Sequence, residues 1–158
     1  MPSEYEIDSL DQQILTHLLK DARKPYLEIA RDLVVSGGTI HQRIQKMEEA
    51  GVIKGFTLVI DRERLGYSVT VLIGIHLKNA KDCAHVLSTL QTFPEVIETH
   101  YTSGSYALMA KIATKSIQEY YAFLTDKLQA LKEIQATESF ICLASPMVRE
   151  ITPQKYEP

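Results

Sequence analysis

The sequence predicts an α+β protein in two parts, an N-terminal winged helix-turn-helix and a C-terminal ferredoxin-like βαββαβ domain. Three observations carry that expectation. Two amphipathic helical patterns, over residues 26–34 and from Ser36 onward, are separated by only a couple of residues, which is helix-turn-helix spacing. Residues 52–60 then read as two short β segments about a Lys54-Gly55 turn, the form of a wing. From Ser68 the apolar pattern runs strand, helix, strand, strand, helix, strand, two βαβ-like halves in tandem.

Composition bounds the alternatives. A chain of 158 residues, 45% of them hydrophobic, allows one large domain or two small ones with ordinary packed cores. No apolar run approaches the roughly 18 residues of a membrane span. Residues 1–6 are short and acidic, unlike a signal peptide, so a cytoplasmic protein without membrane contact is expected. Cys83 and Cys142 lack any paired-ligand spacing and are expected as buried free thiols; neither a metal nor a cofactor is expected. The net charge is −3. Residues 1–60 carry seven Lys/Arg against nine Asp/Glu, and the remainder ten against eleven, so basic character is strictly local. Phosphate affinity follows the cations that meet the backbone, and an acidic remainder favours an oligomer that presents several copies of one basic element.

In chain order, the first helix opens near Asp8 or Ser9 and puts Ile7, Leu10, Ile14 and Leu18 on one face. It should pack across the helix pair as a third helix. Pro25 suits the entry to the second helix, which should turn Leu27, Ala30 and Leu33 inward. Arg23 and Lys24 in the preceding loop are secondary candidates for DNA backbone contact. In the third helix Ser36 is the cap, Ile40, Ile44 and Met47 recur at i, i+4, i+7, and Gly51 ends the run. Between Gly38 and Met47 its remaining positions are Thr39, His41, Gln42, Arg43, Gln45 and Lys46, with no acid among them, the inventory that meets phosphates and base edges. The DNA-binding set is therefore Ser36, Gly38, Thr39, His41, Gln42, Arg43, Gln45 and Lys46, with Arg43 and Lys46 on phosphates or guanine and the Gly37-Gly38 backbone near phosphate.

The domain boundary is expected in the polar residues 61–68, a hinge between residues 1–60 and 69–158. Residues 68–77 alternate as a strand, with Val69, Val71, Ile73, Ile75 and Leu77 on one face and Thr70, Leu72, Gly74 and His76 on the other. A helix over residues 81–92 carries Cys83, Leu87 and Leu90 inward. Residues 96–102 and 106–112 form a hairpin about Ser103-Gly104-Ser105. The longest helical pattern covers residues 116–131, with Ile117, Tyr120, Tyr121, Leu124, Leu128 and Leu131 in one core stripe. Residues 134–143 are a fourth strand, and residues 147–151 could add a fifth. Two helices cover one face of such a sheet; the other is expected to meet the same sheet of a second copy.

These residues resemble the Lrp/AsnC, or feast/famine, family of transcription regulators over nearly the whole chain. The opening pattern is met by Ile7-Asp8, Asp11 and Ile14-Leu15, followed by Arg23 and Glu28-Ile29-Ala30. The recognition segment is met by Ser36, Thr39, Ile40, Arg43, Ile44, Met47, Glu48, Gly51, Val52, Ile53 and Gly55. The resemblance implies double-stranded DNA as partner, sheet-to-sheet dimers (a dimeric α/β-barrel) that assemble towards octamers, and a small effector, usually an amino acid, bound at the regulatory domain. It also implies the effector residues: the turn Ser103, Gly104, Ser105, Tyr106 and Ala107, with Thr137, Glu138 and Ser139 on the last strand. The family turn usually carries acidic or amide positions where this chain has Ser105 and Ala107. An α-carboxylate would then rest on backbone amides near Gly104, and an ammonium group on Glu138 or a main-chain carbonyl.

Two other functions fit the layout. Siroheme decarboxylases share it, and His76 and His100 would there be general acids or ligands; the basic face and capping serine of the third helix favour DNA binding and a non-enzyme. An effector-independent architectural DNA-binding protein is the other reading, suggested by the altered turn.

Overall fold

The computed structural model describes residues 5–151 and 153. Its described residues divide into two compact units, one running to Val59 and joined by residues from Met147 on, the other Ile60–Pro146.

Three helices build the first unit: α1 (Ser9–Lys20), α2 (Tyr26–Asp32) and α3 (Gly37–Glu49). Their core is Ile14, Leu18, Ile29, Ala30, Ile40, Ile44 and Met47, and each fully buried aliphatic contributes about 1.5–3 kcal/mol. Ile29 replaces Leu27 as the inward residue of α2. Leu27 is 65% exposed, because its position on the short helix carries it over Gly37, where a β-carbon would meet its Cδ2 at 2.8 Å. Ile7 is likewise exposed rather than part of the α1 face.

The turn into α3 holds Val34 at φ 56° with its side chain 90% exposed. Left-handed backbone costs an L-residue roughly 1–2 kcal/mol, and a β-branched residue is ill suited to it. Replacing Val34 by glycine is expected to raise the free energy of unfolding by about 1 kcal/mol, read as a higher urea midpoint; an unchanged midpoint would mean the turn relaxes without strain.

No wing strands form over residues 52–60. The amides of Val52 and Ile53 instead donate to the Met47 carbonyl at 2.9 and 3.1 Å, closing α3 past Gly51 at φ 73°. Those donors are spent on the helix end, and a lone two-stranded hairpin has little stability of its own. Residues 56–60 carry no regular secondary structure, with Leu58 and Val59 81% and 95% exposed.

The second unit is a four-stranded antiparallel sheet, β1 (Val69–Leu77), β2 (Val96–Tyr101), β3 (Leu108–Thr114) and β4 (Ile134–Ile141), in the order β2-β3-β1-β4. Helix α4 (Cys83–Leu90), entered through a single 3₁₀ turn, and α5 (Ile117–Ala122) complete the βαββαβ order. Alternation on β1 is as the pattern requires: Val71, Ile73 and Ile75 are fully buried. Val86 takes the buried place expected of Leu87 on α4. The fifth strand is absent, since residues 147–151 form no ladder and Met147, Val148 and Ile151 are exposed.

The long helix is also corrected. After six α residues, Phe123–Leu128 is a π segment, closed by the Gln129 amide on the Leu124 carbonyl at 2.9 Å. The wider turn spaces the inward residues Phe123 and Leu128 five apart; Tyr120 before them is buried too, while Ile117 and Tyr121 are 48% and 65% exposed. Cys83 and Cys142 are free and half-buried rather than fully buried.

Candidate nucleic-acid interface and effector site

Helix α3 begins where Ser36 Oγ accepts from the Thr39 amide at 3.1 Å, with the Ser36 and Thr39 hydroxyls 2.8 Å apart. With Ile40, Ile44 and Met47 buried, the opposite side presents Gly38, His41, Gln42, Gln45 and Lys46 to solvent. Gln45 donates to Glu49 at 2.9 Å, and the His41 ring lies 6.1 Å from that of Tyr26. The exposed strip is polar and cationic, suited to base edges and phosphates.

Arg43 does not join that strip. Its Nη1 donates to Asp8 Oδ2 at 2.5 Å and to both Asp11 carboxylate oxygens at 3.3 Å. Arg43, expected on phosphate or guanine, thus stands apart from the exposed strip, its charge turned towards the start of α1. There Asp8 is the N-cap, accepting from the Asp11 amide at 2.9 Å, while the Asp11 carboxylate accepts from the Asp8 amide at 3.2 Å and from the Tyr5 hydroxyl at 3.0 Å. The cap bond from the Asp11 amide, with the Arg43 guanidinium beside it, holds the Asp8 carboxyl below its usual range. The Asp8 bond likewise pushes the Arg43 pKa up. Asp11 is fully buried, and nothing in residue spacing alone marked it as more than part of an opening pattern.

The effector candidates fall on two sides of the sheet. Ser103, Gly104 and Ser105 are exposed at the β2–β3 turn. Ala107 donates to the Ile75 carbonyl at 2.9 Å, and the Thr102 hydroxyl donates to the Tyr106 carbonyl. Tyr106 lies against Gly74, its ring centroid 4.9 Å from that of His76, and its hydroxyl donates to Glu138. That bond raises the Tyr106 pKa. Glu138 pairs with Gly74 across the β1–β4 ladder, whereas Thr137 and Ser139 pair with the core positions Ile75 and Ile73. Thr137 accordingly accepts from Gln129 at 3.4 Å, and Ser139 lies 2.5 Å from the Tyr120 hydroxyl. Strand alternation separates the grouped residues: Tyr106 and Glu138 come together, with Thr137 and Ser139 on the helix side. Gly74 and His76 join Tyr106 and were not in the expected effector set; a glycine inside a strand was the available signal.

The two histidines of the enzymatic reading lie on strands separated by β3. His100 is 2.7 Å from Glu98, and His76 faces Tyr106.

Residues 7–48 match the AsnC-type helix-turn-helix domain, and residues 69–151 the Lrp/AsnC ligand binding domain. The Regulatory protein AsnC of Haemophilus influenzae is 48% identical over 149 residues, 94% of this chain and 99% of that protein. The structure of E. coli AsnC superposes with TM-score 0.90 at 42% identity, covering 94% of this chain and all of that one. A transcriptional regulator from Neisseria meningitidis, solved as an L-Met complex, shares the fold at TM-score 0.87 and 19% identity, covering 94% of this chain and 97% of that one.

Proposed function

Because the chain belongs to the Lrp/AsnC family of DNA-binding transcriptional regulators, we propose that it reads a specific duplex sequence through α3 and answers to a small amino-acid effector. The observation that carries this is the Ser36-capped helix, whose apolar side is buried while His41, Gln42, Gln45 and Lys46 stay exposed. Ser36, Gly38 and Thr39 at its N-terminus add backbone and hydroxyl donors for phosphate, and Lys46 adds the charge. Residues 1–60 are the DNA-binding part, 61–68 the hinge and 69–158 the regulatory part. A protein acting on DNA in this way works in the cytoplasm, and its relatives are named as regulators, in keeping with a non-enzyme.

Lys46→Ala is the direct test. Loss of one phosphate contact per copy should weaken binding to all duplexes and reduce the slope of log K against log salt by about 0.9. An unchanged slope would take α3 off the DNA.

For the effector, the Neisseria neighbour's L-Met complex supports an amino acid here, and the turn from Ser103 to Ala107, with Glu138 held beside Tyr106, supports its place. Gly104 and Ser105 offer amides for the α-carboxylate, Glu138 a partner for the ammonium group, and Thr137 and Ser139 support the strand from behind. Thermal unfolding against the twenty common amino acids should show one or a few upward shifts. Saturation at about a hundred times the dissociation constant adds roughly 2.7 kcal/mol. No shift from any of them would end the amino-acid reading.

Dimerisation through the sheet is supported by its helix-free face, where Leu72 and Phe140, register partners on β1 and β4, are 37% and 44% exposed. Four such dimers, joined as an octamer, present several copies of α3. Sedimentation at graded concentration tests the assembly.

A further inference from the structure

The ion-pair cluster between α1 and α3 has no part in the reading of DNA given above. We infer that Arg43 is a positioning residue for DNA recognition: Asp8 and Asp11 hold its guanidinium so that α3 is fixed in rotation against α1, and Arg43 is not among the groups that neutralise phosphate. This rests on the reading of α3 as the recognition helix.

Arg43 leaves the middle of α3 between Gln42 and Gln45, so whatever fixes Arg43 fixes the rotation of its exposed neighbours. The anchor is rigid. Asp8 is held by its cap bond to the Asp11 amide, and Asp11 by the Asp8 amide and the Tyr5 hydroxyl. Asp11 is wholly buried, while Arg43 keeps 32% of its side chain exposed. Were Arg43 to swing out to a phosphate, it would leave a buried carboxylate without its cation, which is strongly unfavourable. An exposed phosphate contact returns less, because water and salt screen it. The bond to Asp8 also stabilises the protonated guanidinium where it lies.

The test uses the full-length protein and two probes, a duplex recovered by iterative selection from a random library and poly(dI-dC). Arg43→Gln should leave the salt slope on poly(dI-dC) as in the parent while the ratio of selected-duplex to poly(dI-dC) affinity falls about tenfold. A slope lower by about 0.9 would make Arg43 a phosphate contact and overturn the proposal. A parallel loss on both probes, with the ratio kept, would mean simple destabilisation and overturn it too. Asp8→Asn supplies a second arm, since asparagine caps a helix as well as aspartate but lacks the charge. Its ratio should fall in the same direction, and the Asp8→Asn/Arg43→Gln double variant should be no worse than Arg43→Gln alone. Tighter poly(dI-dC) binding by Asp8→Asn, with a steeper slope, would show an arginine merely restrained from DNA and overturn the proposal; this arm decides the matter should Arg43→Gln fail to fold. Failure of the recognition-helix reading is distinguishable, because Lys46→Ala would then leave the slope unchanged.

Discussion

Phe123→Ala is expected to destabilise the sheet-bearing unit by about 3–5 kcal/mol, seen as a lowered urea midpoint. That is a large share of the roughly 5–15 kcal/mol that keeps a domain folded. Phe123 is 2% exposed and meets Phe93 edge-on at a centroid distance of 5.9 Å. Its neighbours in the cluster include Ile112 and Leu128, both wholly buried. Removing the ring deletes both its transfer free energy and the edge-to-face contact, and leaves a cavity between the π segment and the sheet. Phe123 stands one turn on from Tyr120 on the same side of the helix, and the five-residue step from Phe123 to Leu128 across the π segment keeps both side chains inward. Tyr121→Ala is the matched control and should cost little, because that ring is exposed. A loss under about 1 kcal/mol for Phe123→Ala would show that the segment recoils to an ordinary helix and closes the gap.

Gly74→Val should abolish the amino-acid-induced thermal shift while costing only about 1–3 kcal/mol of stability. A β-carbon at Gly74 would lie 2.5 Å from Tyr106 Cδ1 and 2.6 Å from Cε1, so the ring must leave the strand and its hydroxyl must part from Glu138. The strand itself has no quarrel with valine, a good strand former. The measurement is thermal unfolding with whichever amino acid shifts the parent protein. Adding Tyr106→Ala to Gly74→Val should recover stability without recovering the shift. A Gly74→Val protein that keeps its full shift would remove the Tyr106–Glu138 pair from the effector site.

Much of this architecture was legible in residue spacing. Ile40, Ile44 and Met47 announced the buried side of α3, and the alternation from Val69 to Leu77 announced β1, because burial imposes those periods directly. Short-range chemistry misled where a longer-range partner decided the outcome. Val52 and Ile53 looked like strand residues, yet their amides complete α3. The stripe of period 3.6 read from Ile117 to Leu131 is interrupted after Ala122 by the π segment, which the residue types do not announce. Arg43 reads as a member of the exposed strip because cations on a polar helix usually face outward; its partners Asp8 and Asp11 stand more than thirty residues away. Thr137, Glu138 and Ser139 looked like one group in sequence, and strand geometry divides them.

The reciprocal cap at the start of α1 ties four positions into a single heritable unit. Tyr5, Asp8, Asp11 and Arg43 share one set of bonds, so drift at one changes the selective cost of drift at the other three. A lineage that lost the arginine would carry a stranded buried acid until a second substitution relieved it, which makes these positions prone to change together or not at all.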